Sequence, residues 1–264
     1  MRTLALFFVA GLTAAAAGPA SAAARAIVNS QQDFKVGAHP TIIVDSSAGG
    51  VELTAGAAGT VHVDVERQAD NDADARKLEV ELKQEGNTVR IRFAHKNGGW
   101  HENASVQFKI TAPADSKLEI ETGGGGVAAR GFSGGIKVET GGGGIDIDGA
   151  SGQINLRSGG GGIEARRVNG TVEVSTGGGS VRVEGTLSGH NRVETGGGSI
   201  HVTIPASDKL AVDASTGGGS ASNDFGLPSD GERHSGHFHG NIGDGSAGKL
   251  EIHTGGGSIR LGKL

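Results

Sequence analysis

Seven short glycine runs, each led by Thr or Ser, recur along this chain at nearly constant spacing. The leading residues are Thr122, Thr140, Ser158, Thr176, Thr195, Thr216 and Thr254. Successive steps are 18, 18, 18, 19, 21 and 38 residues, the last close to two periods. Self-similarity at a fixed period marks a stacked architecture, because one short unit cannot bury its own apolar face and must share it with neighbours. Each 18-residue unit divides into two halves. One reads strand then glycine run, as in "IKVETGGGG"; the other reads strand then a smaller turn, as in "IDIDGASG".

The strands alternate cleanly. Ile136, Val138, Ile145, Ile147, Ile154, Leu156, Ile163, Val172, Val174, Val181 and Val183 share one phase, and polar or charged residues occupy the other. A period of two puts one face in a core and the other in water. Placing units 18 residues apart above one another sets Asp148 beside Arg166, Arg166 beside Glu184, Glu164 beside Arg182 and Glu139 beside Arg157. Across the later steps Glu173, Arg192 and Asp213 line up; Asp146 beside Glu164 is a like-charge exception. Opposite charges on adjacent strands favour parallel, in-register stacking.

The expected fold is therefore all-β: a parallel β-solenoid of two-sheet coils, about 18 residues per turn, with Gly-rich turns and irregular N-terminal β coils. Glycine suits such turns in two ways. It adopts positive φ without penalty, and it lets stacked turns approach to the strand spacing of about 4.8 Å. The turn glycines singled out are Gly123, Gly124, Gly141, Gly142, Gly143, Gly159, Gly160, Gly177, Gly178, Gly196, Gly197, Gly217, Gly218, Gly255 and Gly256. A phosphate-cradling loop is disfavoured, since no Gly-Lys-Ser/Thr precedes a helix.

Residues 1–22 have the form of a secretory signal peptide, with Arg2, an apolar run and small residues at Ala20 and Ala22; cleavage is expected after Ala22 or Ala24. Residues 23–33 are expected to be a flexible N-terminus, 34–115 irregular N-terminal β coils, and 116–264 the regular Gly-rich solenoid with an insertion at 223–249. No spanning segment is expected after signal cleavage. With 24 basic and 29 acidic residues and no basic stripe, nucleic acid is not an expected partner. The chain has no Cys, which excludes disulfides and thiol catalysis.

The T-G-G-G-[GS]-[IV]-x-[IV] units at 122, 140, 176, 195 and 254, the leader and the late "DFGLP" (224–228) resemble a bacterial "putative adhesin" family, a domain of unknown function with Gly-rich β-strand repeats. The resemblance implies a secreted or envelope β-solenoid and carries no catalytic residues with it.

Three features are candidates for chemistry. "GGGGIDIDG" (141–149) partly matches a calcium β-roll unit, but Asp148 stands where that unit needs an apolar residue. Glu164 and Arg182 also replace Asp146 in equivalent halves, so outward solvated charge is the better reading. His234, His237 and His239 form a candidate metal site, because His237 and His239 share a strand face and His253 could approach from the next strand. Trp100, the only Trp, is a candidate partner contact, although a lid over the first coils is favoured. Catalysis is not expected, since neither a nucleophile elbow nor a metalloprotease helix motif occurs, and no cofactor is implied.

The function expected is that of a non-catalytic structural or adhesive β-solenoid, extracytoplasmic, in the periplasm or at the cell surface, contacting an envelope or surface protein or a glycan. The alternatives are a periplasmic binding or envelope-stress accessory module and, below it, a glycan-acting β-helix enzyme.

Overall fold

The computed structural model describes residues 26–94, 104–229 and 236–264. The leader (1–22), Trp100 and His234 lie outside the described residues. In chain order the elements are β1 (Ala26–Lys35), β2 (Thr41–Ser46), β3 (Val51–Gly56), β4 (Thr60–Ala69), α1 (Asp72–Lys77), β5 (Val80–Glu85), β6 (Thr88–Phe93), β7 (Ser105–Pro113), β8 (Lys117–Thr122), β9 (Val127–Arg130) and β10 (Ile136–Thr140). There follow β11 (Ile145–Asp148), β12 (Ser151–Ser158), β13 (Ile163–Thr176), β14 (Val181–Leu187), β15 (Gly189–Thr195), β16 (Ile200–Ile204), β17 (Leu210–Thr216), β18 (Ala221–Asn223), β19 (His237–Ser246), β20 (Gly248–Thr254) and β21 (Ile259–Lys263).

The described residues are all-β with one short helix, and their strands form a single mixed sheet. Parallel pairs 18 residues apart make up its middle: Ile136 sits on Ile154, Val138 on Leu156 and Ile145 on Ile163. The inward residues assigned from alternation are all buried in one cluster. The expectation of a parallel solenoid with irregular N-terminal coils is corrected at both ends, where the sheet is mixed. There β1–β4, β4–β7, β5–β6 and β17–β19 run antiparallel. Such strands cover edges that would otherwise offer unpaired backbone to other chains.

Residues 26–33, expected to be flexible, belong to β1, which pairs along its whole length with β4. The stretch 223–249 supplies β19, laid antiparallel on β17. Within the polar interruption at 67–87, α1 forms because Asn71 caps it, accepting the Asp74 amide at 3.0 Å. Asp72 and Asp74 in its first turn and Arg76 and Lys77 in its last complement the helix dipole.

Stacking order departs from chain order twice. The β2–β3 unit lies between β6–β7 and β8–β9. Likewise the β20–β21 unit lies between β15–β16 and β17–β18. Asp213 therefore does not neighbour Arg192; Glu251 sits between them. Each bypass is made by a similar connector, Pro113 to Lys117 and Pro205 to Lys209. In the first the Ser116 hydroxyl donates to Pro113 O at 2.6 Å, and in the second the Asp208 amide donates to Pro205 O at 3.1 Å.

A bulge in β13 shifts the register between Ala165 and Val168. Arg167 takes φ 51° there, and Arg166 is displaced from the expected pairing with Glu184.

The Thr/Ser-Gly turns hold together by a repeated hydroxyl link. Thr140 Oγ1 accepts the Gly143 amide at 3.1 Å and donates to Gly125 O of the neighbouring turn at 3.0 Å. Ser158, Thr195, Thr216 and Thr254 make the same two bonds. Of the two roles expected of glycine in these runs, positive φ is corrected and close approach holds. Positive φ occurs in the smaller turns, as at Gly131 and Gly149, and not at Gly141 or Gly143. Those two are required by close approach: an added Cβ would fall 2.2 Å from Gly123 O and 2.0 Å from Gly125 O, respectively. At Gly124, Gly142, Gly160 and Gly197 a Cβ would meet nothing within 4 Å, so those four are not structurally obligatory.

Candidate functional site

A groove of about 1020 Å³ crosses the strands where the Gly turns deliver the chain into β3, β9, β11, β13 and β14. Its edge is formed by the last residue of each turn: Gly50, Gly126, Gly144, Gly162, Ser180 and Ser199. Its floor is the first inward residue of each strand, including Val127, Ile145 and Ile163. Its wall is the first outward residue, a row that carries Lys109, Glu52, Asp146, Glu164, Arg182 and His201.

The wall charges are paired in a chain. Arg130 reaches Glu52 at 3.1 Å and Asp146 at 3.8 Å. Arg166 reaches Asp146 at 3.2 Å and Glu164 at 2.6 Å, and Arg182 lies 3.7 Å from Glu164. The like-charged neighbours Asp146 and Glu164 are thus bridged by one guanidinium, and Asp146 also lies beside a second, that of Arg130. Burial, followed by the nearby Arg182 and Arg260, pushes the His201 pKa below its ordinary value, which favours the neutral imidazole. The half-exposed wall thus presents both carboxylate and guanidinium groups to the groove.

The turn edge changes chemistry along its length. Where the last turn residue is Ser, its hydroxyl accepts the amide of the next unit. Ser199 N donates to Ser180 Oγ at 3.3 Å, Ser258 N to Ser199 Oγ at 3.2 Å and Ser220 N to Ser258 Oγ at 3.3 Å. This ladder follows the spatial order, with 258 before 220. Toward the N-terminal end the same position is Gly, and no hydroxyl is offered. Sequence reasoning missed this feature, although its signal is plain: three runs read GGGG and the last four read GGGS.

His237 and His239 share a face of β19, their rings stacked with centroids 5.3 Å apart. His237 Nε2 lies 3.2 Å from Asp213 Oδ1. His253 is two strands away and meets Ser215 Oγ at 3.0 Å. Among the described residues no three His, Cys, Asp or Glu side chains are placed to hold a metal ion. A second acidic cluster lies on β1 and β4, where His62 Nδ1 sits 2.5 Å from Asp33 and Nε2 3.3 Å from Asp64. The hydrogen bond to Asp33 is the main cause of a raised His62 pKa.

Among the described residues no helix is long and apolar enough to cross a membrane. The sequence of the Toastrack DUF4097 family matches residues 39–217. No curated protein matches the chain. Among solved structures, a "putative cell adhesion protein" from Clostridium sporogenes is 13% identical, covers 90% of this chain and 100% of its own, and superposes with a TM-score of 0.40. A "putative adhesin" from Bacteroides fragilis is 14% identical, with 89% and 97% coverage and a TM-score of 0.45. A "putative lipid binding protein" from Parabacteroides distasonis is 13% identical, with 88% and 96% coverage and a TM-score of 0.35.

Proposed function

The chain belongs to the Toastrack DUF4097 family, and from that premise we propose that it is a non-catalytic β-solenoid of the cell envelope, serving as a stiff structural and contact element. The observation that carries this reading is the repeated turn link. Each Thr or Ser hydroxyl ties its own turn to the one beside it, so unit after unit is cross-braced at one corner. A stack braced this way resists bending, and its outward faces present short-range paired charges, as in the Arg130–Asp146–Arg166–Glu164 chain. Paired charge of this kind gives weak contacts that add up along a length. The leader-like residues 1–22 support an extracytoplasmic location.

The test is protease treatment of intact native cells beside a known periplasmic control. Loss of this protein with the control preserved supports a surface contact element. Protection until the outer barrier is opened replaces the surface role with that of a periplasmic accessory module. Turnover of a polysaccharide panel that is abolished by Glu164→Gln would refute the non-catalytic reading.

A further inference from the structure

The groove edge contains a row of donors that, among the described residues, have no acceptor. At the Ser end, each turn-edge amide is accepted by the preceding serine hydroxyl. The amides of Gly126, Gly144, Gly162 and Ser180 would need that hydroxyl at positions 50, 126, 144 and 162, and all four are Gly. Among the described residues these amides have no hydrogen-bond acceptor. The four residues are exposed and line the groove.

Nothing in the fold demands glycine at 126, 144 or 162. None has positive φ. A Cβ added there would come 3.6 Å from Gly144 O, 3.4 Å from Gly162 O and 3.4 Å from Ser180 O, ordinary contact distances. The chain itself uses Ser at the equivalent position in its other turns. Glycine at these sites therefore keeps the groove open and its amides available, and the serine ladder shows what an occupant must supply: one acceptor oxygen per strand spacing, about 4.8 Å.

We propose that the groove binds a neutral, hydroxyl-rich linear glycan lying across the strands, its oxygens accepting from the amides of Gly126, Gly144, Gly162 and Ser180 and its hydroxyls donating to Asp146 and Glu164. The inference deepens the reading of the chain as a non-catalytic contact element. One sugar of an extended 1,4-linked chain advances by close to one strand spacing. An extended peptide advances about 3.3 Å per residue, so its same-side carbonyls fall out of step with the row. The wall carries both signs, with Glu52, Asp146 and Glu164 each held by arginine, and so gives a polyanion no uniformly basic row to bind. A glycan hydroxyl both donates and accepts, and so suits carboxylate, guanidinium and amide alike.

The experiment is isothermal titration of the protein with cellohexaose, chitohexaose and maltohexaose, with hexagalacturonate as the acidic comparator. At least one neutral hexasaccharide is expected to bind. The Gly126→Ser/Gly144→Ser/Gly162→Ser variant should keep its urea midpoint and lose about tenfold or more in affinity, as its new hydroxyls occupy three of the four amides, those of Gly144, Gly162 and Ser180. If that variant misfolds, Asp146→Asn/Glu164→Gln must show the loss instead. Absence of binding by all three neutral sugars, unchanged affinity in the folded variants, or tighter binding of the acidic sugar would overturn the proposal. These outcomes leave the protease test of surface exposure unaffected, so the two readings fail separately.

Discussion

Gly142 and Gly143 are adjacent and chemically identical, yet the structure assigns them opposite sensitivities. A Cβ on Gly143 would sit 2.0 Å from Gly125 O, 2.4 Å from Gly125 C and 2.8 Å from Gly126 N. Every one of these is backbone of the neighbouring turn, so no side chain can swing aside. Relief requires the two turns to separate at this corner, which also stretches the Thr140 Oγ1 to Gly125 O bond of 3.0 Å. Overpacking costs about 1–3 kcal/mol, and one or two weakened hydrogen bonds add about 1 kcal/mol each, so Gly143→Ala should cost about 2–5 kcal/mol. A Cβ on Gly142 would meet nothing within 4 Å, and its φ is not positive. Gly142→Ala should therefore be neutral, or stabilising by about 0.4–1 kcal/mol through the unfolded chain. Urea unfolding of the two variants beside the wild type separates the cases. Equal midpoints for both would refute the claim that stacking distance, and not turn flexibility, dictates these glycines.

Ile147 is fully buried between Ala129 and Ala165, so Ile147→Asp places an unpaired charge in the column. A loss of about 4 kcal/mol or more is expected, and thermal melting would expose an unchanged stability. Removal of residues 248–264 should strip a unit from inside the stack, leaving both β15–β16 and β17–β18 with a bare edge. Hydrogen exchange should then show lost protection at 210–216 as well as at 191–204; protection kept at 210–216 would contradict the insertion. Burial raises the pKa of Asp208, against the opposing hydrogen bond from the Leu187 amide. A raised carboxyl pKa favours the neutral acid in the folded state, so its stabilising contribution is complete below the unfolded pKa of about 3.9 and is lost as pH rises through the folded value. Asp208→Asn should flatten stability between mild acid and pH 7 and raise it at pH 7; an unaltered pH profile would show that the carboxyl is not desolvated.

Much of the site was written in the sequence without being readable as a site. The outward row and the switch from GGGG to GGGS are both visible in the chain. That the switch divides paired from unpaired amides depends on which atom of one turn faces the next, and spacing does not carry that information. The β13 bulge was hidden for a similar reason. Arg166 reads as an outward residue beside Glu184, and only the packed ladder shows that one extra residue is absorbed there.

The sequence by itself determined which residues are inside, because a two-residue period leaves only two phases and one of them is apolar. It also determined the 18-residue register of the central units, where identical turns and opposite charges agree. Tertiary structure decided the order of stacking at the ends. The units are so alike that β15 could accept β17 or β20 with nearly the same backbone bonds. The choice of β20 falls to particular contacts: the Asn191 side chain donates to Lys249 O at 3.2 Å, the Gly189 amide to Ala247 O at 2.8 Å, and the bypassing connector receives the Ala247 amide at Lys209 O at 2.7 Å. Such contacts join residues far apart in the chain, and a repeat pattern cannot rank one near-identical neighbour above another.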